Sequence, residues 1–406
     1  MLPKETMGLE SAVHTTHPHT ENFIMPQNAL FFQSFVGVDL HKCTVSLAAV
    51  DPQGKILGRL TCDTKCVAKI DAFLAGLPKP VHLVVEACGF IEWFIDRYRP
   101  QVALSGGRLD IADATELARR RGKRRKTDRN DALDFAQRLR TGDCPLGWIA
   151  NEDICRLRKL GRQWHRLSRT LGRTKASMRS LLLQQNIRGP SNLNGVLAHR
   201  WLLGHGQLLK DVDRQSFGDL LAIVQTIERV MAPLQTSIVE TTHSKPFAAL
   251  VEQLESVPGI GVIWSCIIAG EVGDFTRFPN ADALEFWAGL TPDLMQSAGR
   301  TTSGNITKAG SRTLRWALGK AAGCLCRSDA YQERIRQRII RRCGNKAKAN
   351  VAMARRLLRI LYAMARTGTV YQVKQPTNRT ARLNQARLSK LRKQRSAPQA
   401  PAVAAA

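Results

Sequence analysis

The sequence is short of acid. Only 33 of its 406 residues are Asp or Glu against 61 Lys and Arg, a formal charge of +28, and the excess runs along most of the chain rather than sitting in one tail. Self-repulsion of that size is relieved by a polyanionic partner. Long apolar runs are missing too. The best, Val262 to Gly270, falls far short of the roughly 20 residues that span a bilayer, so no membrane is expected as a partner and nucleic acid becomes the expected polyanion. No basic segment followed by an apolar one stands near the N-terminus, and a cytoplasmic, nucleoid-associated protein of a bacterium or archaeon is expected. The ten cysteines do not repeat a paired zinc-site spacing. His41 with Cys43, Cys62 with Cys66 and Cys324 with Cys326 are the only close groupings, and most cysteines are expected to be reduced, small core residues. No internal repeat is apparent.

A chain of this length can hold two or three domains, each with its own core. Residues 1–33 and 371–406 show no sustained periodicity and read as disordered ends, the second of them basic. Between them, 34–145 opens with strands at Phe35 to Asp39, Thr44 to Val50 and Lys55 to Thr61, with a turn at Asp51-Pro52-Gln53-Gly54. A helix follows at Val67 to Leu77, then an apolar strand Val81 to Glu86, a helix near Ile91 to Tyr98 and a short strand near Val102 to Ser105. Helices near Ala112 to Arg121 and Asn130 to Arg140 complete this first region.

Residues 146–245 read as coiled-coil helices. Apolar residues from Ile154 to Leu181 step by three and four, and Leu220 to Ile238 repeat the pattern, with Pro233 marking a kink or an end. The two helices can pair with each other or with a second subunit. Arg158, Lys159, Arg162, Arg166, Arg169, Arg173, Lys175 and Arg179 lie off the first seam, where they can track phosphates or simply face solvent. From Pro246 the composition changes to a Gly-punctuated helical region, 246–370, read as a separate C-terminal domain.

Four acids stand out. Asp39 closes the first strand in Val36-Gly37-Val38-Asp39-Leu40-His41-Lys42, and Glu86 closes the later apolar strand in Val84-Val85-Glu86-Ala87-Cys88-Gly89. Strand ends of an open α/β sheet converge on one edge, so acids placed there can meet in space. Asp128 and Asp131 are three apart at a helix start and share a face. Two carboxylates about 4 Å apart repel by roughly 4 kcal/mol at an effective dielectric near 20, which a hard divalent cation would remove. Oxygen ligands suit Mg²⁺ or Mn²⁺. Helix capping, a turn or an arginine pair would account for each acid taken singly. Asp134 is a substitute ligand one helical step further on, while Asp110 and Asp113 are expected to begin a helix. The order of elements and acids resembles the ribonuclease H-like, RuvC-like fold.

Further along, Val257-Pro258-Gly259-Ile260-Gly261 between apolar helices looks like a helix-hairpin-helix turn, where Gly259 and Gly261 would let backbone amides approach a phosphate; a plain tight turn is the other reading. Downstream, glycines and hydroxyls alternate with cations from Gly289 through Gly310 to Arg315. A hydroxyl there could be a nucleophile, with nearby cations stabilising phosphorane charge. On chemistry alone Ser297, Thr301, Thr302, Ser303 and Thr307 all qualify.

Together, Val-Asp-Leu-His-Lys, Val-Glu-Ala-Cys-Gly, Lys-Thr-Asp-Arg-Asn-Asp-Ala and the late Gly-Leu-Thr-Pro to Ile-Thr-Lys-Ala-Gly block resemble the DEDD transposases of the insertion-sequence-110 family. That family includes Piv-type DNA invertases and bridge-RNA-guided recombinases. The resemblance spans about Phe35 to Ala365. It implies that Asp39, Glu86, Asp128 and Asp131 bind metal and that Ser297 is the serine which becomes transiently linked to DNA. From the residues themselves, Arg300, Lys308 and Arg312 are expected to join Gly259 and Gly261 in contacting nucleic acid. The resemblance also implies donor and target DNA, a structured guide RNA and a homo-oligomer between dimer and tetramer. Ala298 stands where the family commonly has glycine, and Arg300 where it often has lysine; if the loop needs positive φ, Ala298 strains it. The function expected is cutting and rejoining of DNA. The rivals are a metal-dependent, junction-selective nuclease that uses water, and a non-catalytic DNA-binding protein.

Overall fold

A computed structural model describes residues 31–113, 116–117, 128–189, 196–297 and 300–373, the side chains of 128–130, 196–199, 294–297 and 300–305 excepted. The chain divides into two compact units, residues 1–150 and 151–406.

In the first unit, strands β1 (Ser34–Leu40), β2 (Thr44–Val50) and β3 (Ile56–Asp63) run antiparallel, while β4 (Val81–Glu86) and β5 (Arg108–Ala112) lie parallel beyond β1. A two-residue β6 (Leu146–Gly147) closes the edge, giving the order β3-β2-β1-β4-β5-β6. This mixed sheet is consistent with the ribonuclease H-like expectation. Strand side chains alternate faces, and both faces are covered. Val36, Val38, Leu83 and Val85 pack against helices α1 (Val67–Ala75) and α2 (Glu92–Leu104), whereas Phe35, Val50 and Val84 pack against Phe135, Ala136 and Leu139 of α3 (Asp128–Thr141). That double cover explains why β1 and β4 read as unbroken apolar runs.

The expected strand at Val102 to Ser105 is a correction. Phe94, Tyr98 and Val102 are all buried on one face of α2, a four-residue step that carries the helix through Pro100 to Leu104, and the strand begins only at Arg108. The expected helix from Ala112 is also corrected at its start, because Ala112 ends β5. Asp113 does cap the turn that follows, accepting a hydrogen bond from the Glu116 amide at 3.1 Å; residues 118–127 lie outside those described.

Asp110 belongs to β5, not to a helix start. It is buried, with His82 Nε2 2.8 Å from its Oδ2 and Arg108 Nε 2.6 Å away. Burial works to raise its pKa, but the hydrogen bonds from His82 and Arg108 hold the carboxyl below its ordinary range. A depressed carboxylate stabilises the fold above its unfolded pKa near 4, and that contribution is lost as pH falls through the folded value. Asp110→Asn is therefore expected to lose about 3 kcal/mol in urea denaturation at pH 7, the low end for breaking a buried pair. The gap to wild type should close in acid, and a gap independent of pH would refute the assignment.

In the second unit, α4 (Glu152–Gln184) and α6 (Asp211–His243) pair within the chain, joined by α5 (Val196–Gly206). Met178, Leu182, Phe217 and Val224 form their shared core with Leu202 and Leu209. Pro233 does not end α6, because Met231, Leu234 and Ile238 continue its buried face. Three of the cations expected on the outer face of α4 are engaged internally. Arg158 donates to the Gly270 carbonyl at 3.1 Å, Arg162 binds both Glu271 oxygens at 2.7 and 3.0 Å, and buried Lys175 meets Glu228 at 2.9 Å.

Beyond these come α7 (Ala248–Glu255), α8 (Val262–Val272), α9 (Ala281–Trp287), a hairpin of β7 (Pro292–Ser297) and β8 (Arg300–Ile306), then α10 (Arg312–Ser328), α11 (Ala330–Cys343) and α12 (Lys346–Thr367). The hairpin corrects the reading of this part as helical throughout. Fully buried Glu285 is held by Arg355 and Arg359 of α12. Tyr371, placed by sequence in the disordered tail, is anchored: its hydroxyl donates to Asp329 Oδ2 at 2.6 Å and its amide to Ser256 Oγ at 2.8 Å. All ten cysteines are free, but only Cys144, Cys266 and Cys326 are buried, so the expectation that most are core residues is corrected. No helix among the described residues is long and apolar enough to cross a membrane.

Candidate active site

Asp39 lies on the face of β1 set by Phe35 and Gly37, the face that meets α3. On β4 the same alternation puts Glu86 with Val84, on that face too. Val38 and Val85 are register partners of the parallel pair. Asp39 and Glu86 are each the next residue, so their backbones stand about 4.8 Å apart, the usual strand spacing. Asp39 is 2% exposed and Glu86 half-buried. The Cys88 thiol reports both charges: burial pushes it up, and Glu86 and Asp39 push it further, against a hydrogen bond from the Phe90 backbone.

Helix α3 reaches this edge through Gly37. A Cβ there would stand 2.1 Å from the Ala132 carbonyl oxygen and 2.5 Å from the Ala136 nitrogen, so only glycine lets the helix lie on the strand. The direction of α3 follows from its other end. Gln137 donates to the Gly54 carbonyl at 2.9 Å and Arg140 to that of Pro52 at 3.4 Å, in the turn after Val50, whose partner is Phe35 at the start of β1. The N-terminal end of α3 therefore points toward the Asp39 end of β1. It carries Asp131, 8% exposed, and Asp128 as its first residue. The side chain of Asp128 lies outside those described. Among the described residues, no three His, Cys, Asp or Glu side chains are gathered tightly enough to hold a metal ion.

His41 was missed as a member of this site. Its Nε2 lies 3.2 Å from Asp39 Oδ2, and the sequence signal was its position two residues past the acid, where the chain turns back into β2. Asp134, the substitute ligand, is instead paired with Arg138 at 2.8 Å.

The hairpin of the second unit carries Ser297 as the last residue of β7, with Arg300 its register partner. Ala298 and Gly299 lie outside the described residues, so the strain expected at Ala298 does too. The base of the hairpin is built by close backbone approach. Gly289 has φ +67° and would place a Cβ 2.7 Å from the Ala309 nitrogen, while a Cβ on Gly310 would stand 2.1 Å from the Trp287 carbonyl oxygen. Arg315 then ties the base to α10, donating to the Gly310 and Ala288 carbonyls at 2.6 and 3.1 Å. Lys308 and Arg312 flank this junction, both exposed.

The Val257 to Gly261 turn does join α7 and α8. Gly259, at φ +94°, would place a Cβ 2.3 Å from that of Cys324 in α10, so this glycine is required by packing within the unit. Gly261 precedes α8 in extended conformation, and a Cβ there would meet nothing within 4 Å.

Comparison with known proteins finds two matched regions. Residues 36–187 match a transposase family of the IS110 DEDD type, and residues 251–338 match the family described as "Transposase IS116/IS110/IS902 family". A putative transposase of Sinorhizobium fredii is 24% identical over 71% of each chain, and the transposase of insertion sequence element IS1328 from Yersinia enterocolitica is 22% identical over 83% of this chain and 98% of its own. An uncharacterized protein of insertion element IS110 from Streptomyces coelicolor is 31% identical over 30% of each.

Proposed function

The chain belongs to the IS110 family of transposases and is an enzyme that cuts and rejoins DNA, and from that premise we propose a reaction using two sets of groups: divalent metal on Asp39, Glu86, Asp128 and Asp131, and Ser297 as nucleophile. The observation that carries the first half is the convergence of the Asp39 and Glu86 strand ends with the acidic end of α3. These are hard oxygen donors on one sheet edge, the donor chemistry that Mg²⁺ or Mn²⁺ takes. When bound, such an ion polarises a phosphoryl oxygen and offsets charge on the oxygens of in-line displacement. His41, its Nε2 3.2 Å from Asp39 Oδ2, would orient that carboxylate.

Ser297 Oγ attacks the phosphorus and the bond to one DNA oxygen breaks, leaving a serine ester; attack by a second DNA end reverses it. Arg300, Lys308 and Arg312 supply positive potential for the phosphate. The Gly259 to Gly261 turn contacts backbone without reading sequence. Exposed Arg334, Arg338, Arg341 and Arg342 on α11, with Lys346 and Lys348 on α12, extend the cationic surface that donor and target DNA would follow. A structured guide RNA, assembly as a dimer to tetramer and a cytoplasmic site of action complete the reading. The helical region 146–245 and the C-terminal region 246–370 would act together, since Arg158 and Arg162 of the first bind Gly270 and Glu271 of the second.

Ser297→Ala is expected to abolish protein retained on DNA through a denaturing gel while changing DNA affinity by less than about threefold, since a hydroxyl at a strand end adds little binding. An adduct that survives the substitution rules out Ser297. Cleavage by the unsubstituted protein with free ends and no adduct would favour hydrolysis by activated water.

A further inference from the structure

Below the base of the hairpin, between α10 and α12, lies a cleft of about 450 Å³ lined by Lys308, Arg312, Arg315, Trp316, Gly319 and Asn350 among others. That size is within the range of small-ligand pockets. Its cations are not equivalent. Arg315 is committed to the carbonyls of Ala288 and Gly310, whereas Lys308 and Arg312 are exposed and face no acid in ion-pair contact among the described residues. Burial, and then the nearby charge of Arg312, lower the pKa of Arg315, so positive charge is crowded along one wall.

Trp316 supplies a fixed aromatic plane. The His165 ring stacks on it at 4.2 Å and 21°, and Trp264 meets it edge-on at 4.9 Å. His165 is anchored by Thr313 Oγ1 at 2.9 Å from its Nδ1. Gly319, one helical turn beyond Trp316, leaves the floor open, since a Cβ there would meet nothing within 4 Å. A held aromatic plane beside two uncommitted cations matches the two halves of a nucleotide, because bases stack on aromatic rings while phosphates seek cations.

We propose that this cleft seats one unstacked nucleotide of DNA, its base against Trp316 and its phosphate at Lys308 and Arg312. Lys308 lies two residues past the end of β8, whose other end pairs with Ser297, so the cleft would hold an opened strand about a hairpin's length from the cut, roughly 20 Å at 3.3 Å per residue. The proposal rests on DNA being the substrate.

The test is binding of the full chain, by fluorescence anisotropy, to a ten-nucleotide oligothymidylate, to the same oligomer with abasic sugars, to a duplex and to oligouridylate. Trp316→Leu is expected to weaken oligothymidylate about 10- to 100-fold, as loss of base stacking does, and to leave the abasic oligomer and the duplex unchanged. Gly319→Leu fills the floor while leaving Trp316 itself in place, and its Cβ would meet nothing within 4 Å, so it decides the matter if the Trp316 variant misfolds; the same pattern is expected. Arg312→Gln should lower the slope of log affinity against log salt by about 0.7 on the single strand. Equal losses on all ligands, no loss on oligothymidylate, or a Trp316 dependence seen only with oligouridylate would overturn the proposal. None of these readouts involves cleavage. A failure of Ser297 to form an ester would leave a positive result standing, and the converse holds.

Discussion

Asp39→Asn is expected to cut Mg²⁺-dependent DNA strand cleavage by on the order of 10³-fold, while the urea midpoint barely moves. The size follows from what a bound ion does. Charge stabilisation by a Lewis acid is worth several kcal/mol at the transition state, and each 1.36 kcal/mol is a factor of ten in rate. Asn keeps the shape of the side chain at a position only 2% exposed and keeps an oxygen for His41, but it removes the anionic ligand. Single-turnover cleavage of end-labelled DNA measures the rate, and equilibrium unfolding checks that the fold survives. A variant that cleaves within tenfold of wild type would remove Asp39 from the chemistry.

Gly37→Ala should damage fold and activity together. The added methyl would stand against the Ala132 oxygen and the Ala136 nitrogen, which are backbone atoms. No side-chain rotation relieves that contact, so α3 must shift from the strand. Overpacking costs about 1–3 kcal/mol and occasionally more, and a contact with helix backbone belongs at the upper end. The displaced helix carries Asp128 and Asp131, so cleavage should fall beyond what the unfolded fraction explains. Gly58→Ala is the control: its nearest neighbour is the Phe73 ring at 3.1 Å, a side chain that can give. Urea denaturation of the two variants, paired with cleavage of the folded fraction, separates the effects. Equal tolerance at both positions would contradict the close packing of α3 on β1.

The parts of this architecture legible in the sequence are those fixed by local pattern. β1 and β4 are apolar on both faces and carry an acid at or next to their last residue, so their type and the placing of Asp39 and Glu86 could be read residue by residue. The helix start beside Asp128 and Asp131 was likewise legible, since α3 begins at Asp128. What escaped depends on distant partners. β5 was misplaced because Val102 has strand propensity but is buried on the helical face of Phe94 and Tyr98, and because the charge of Asp110 is tolerated in a strand only through His82, 28 residues away. The hairpin at Pro292 to Ile306 has no apolar alternation; it forms by cross-strand pairing anchored by Gly289 and Gly310. The role of Gly37 is invisible without the helix that lies on it. His41 lies within the Val-Asp-Leu-His-Lys motif, yet nothing local says that its ring turns back toward Asp39.

The central physical claim proposed is that one sheet edge would hold hard-oxygen ligands for a divalent cation. Mn²⁺ binding followed by loss of the free-ion electron paramagnetic resonance signal tests that most directly. The full chain is expected to remove Mn²⁺ from solution, with Mg²⁺ competing, and Asp39→Asn combined with Glu86→Gln to remove it no longer while remaining folded. Undiminished Mn²⁺ uptake by the folded double variant would contradict the account.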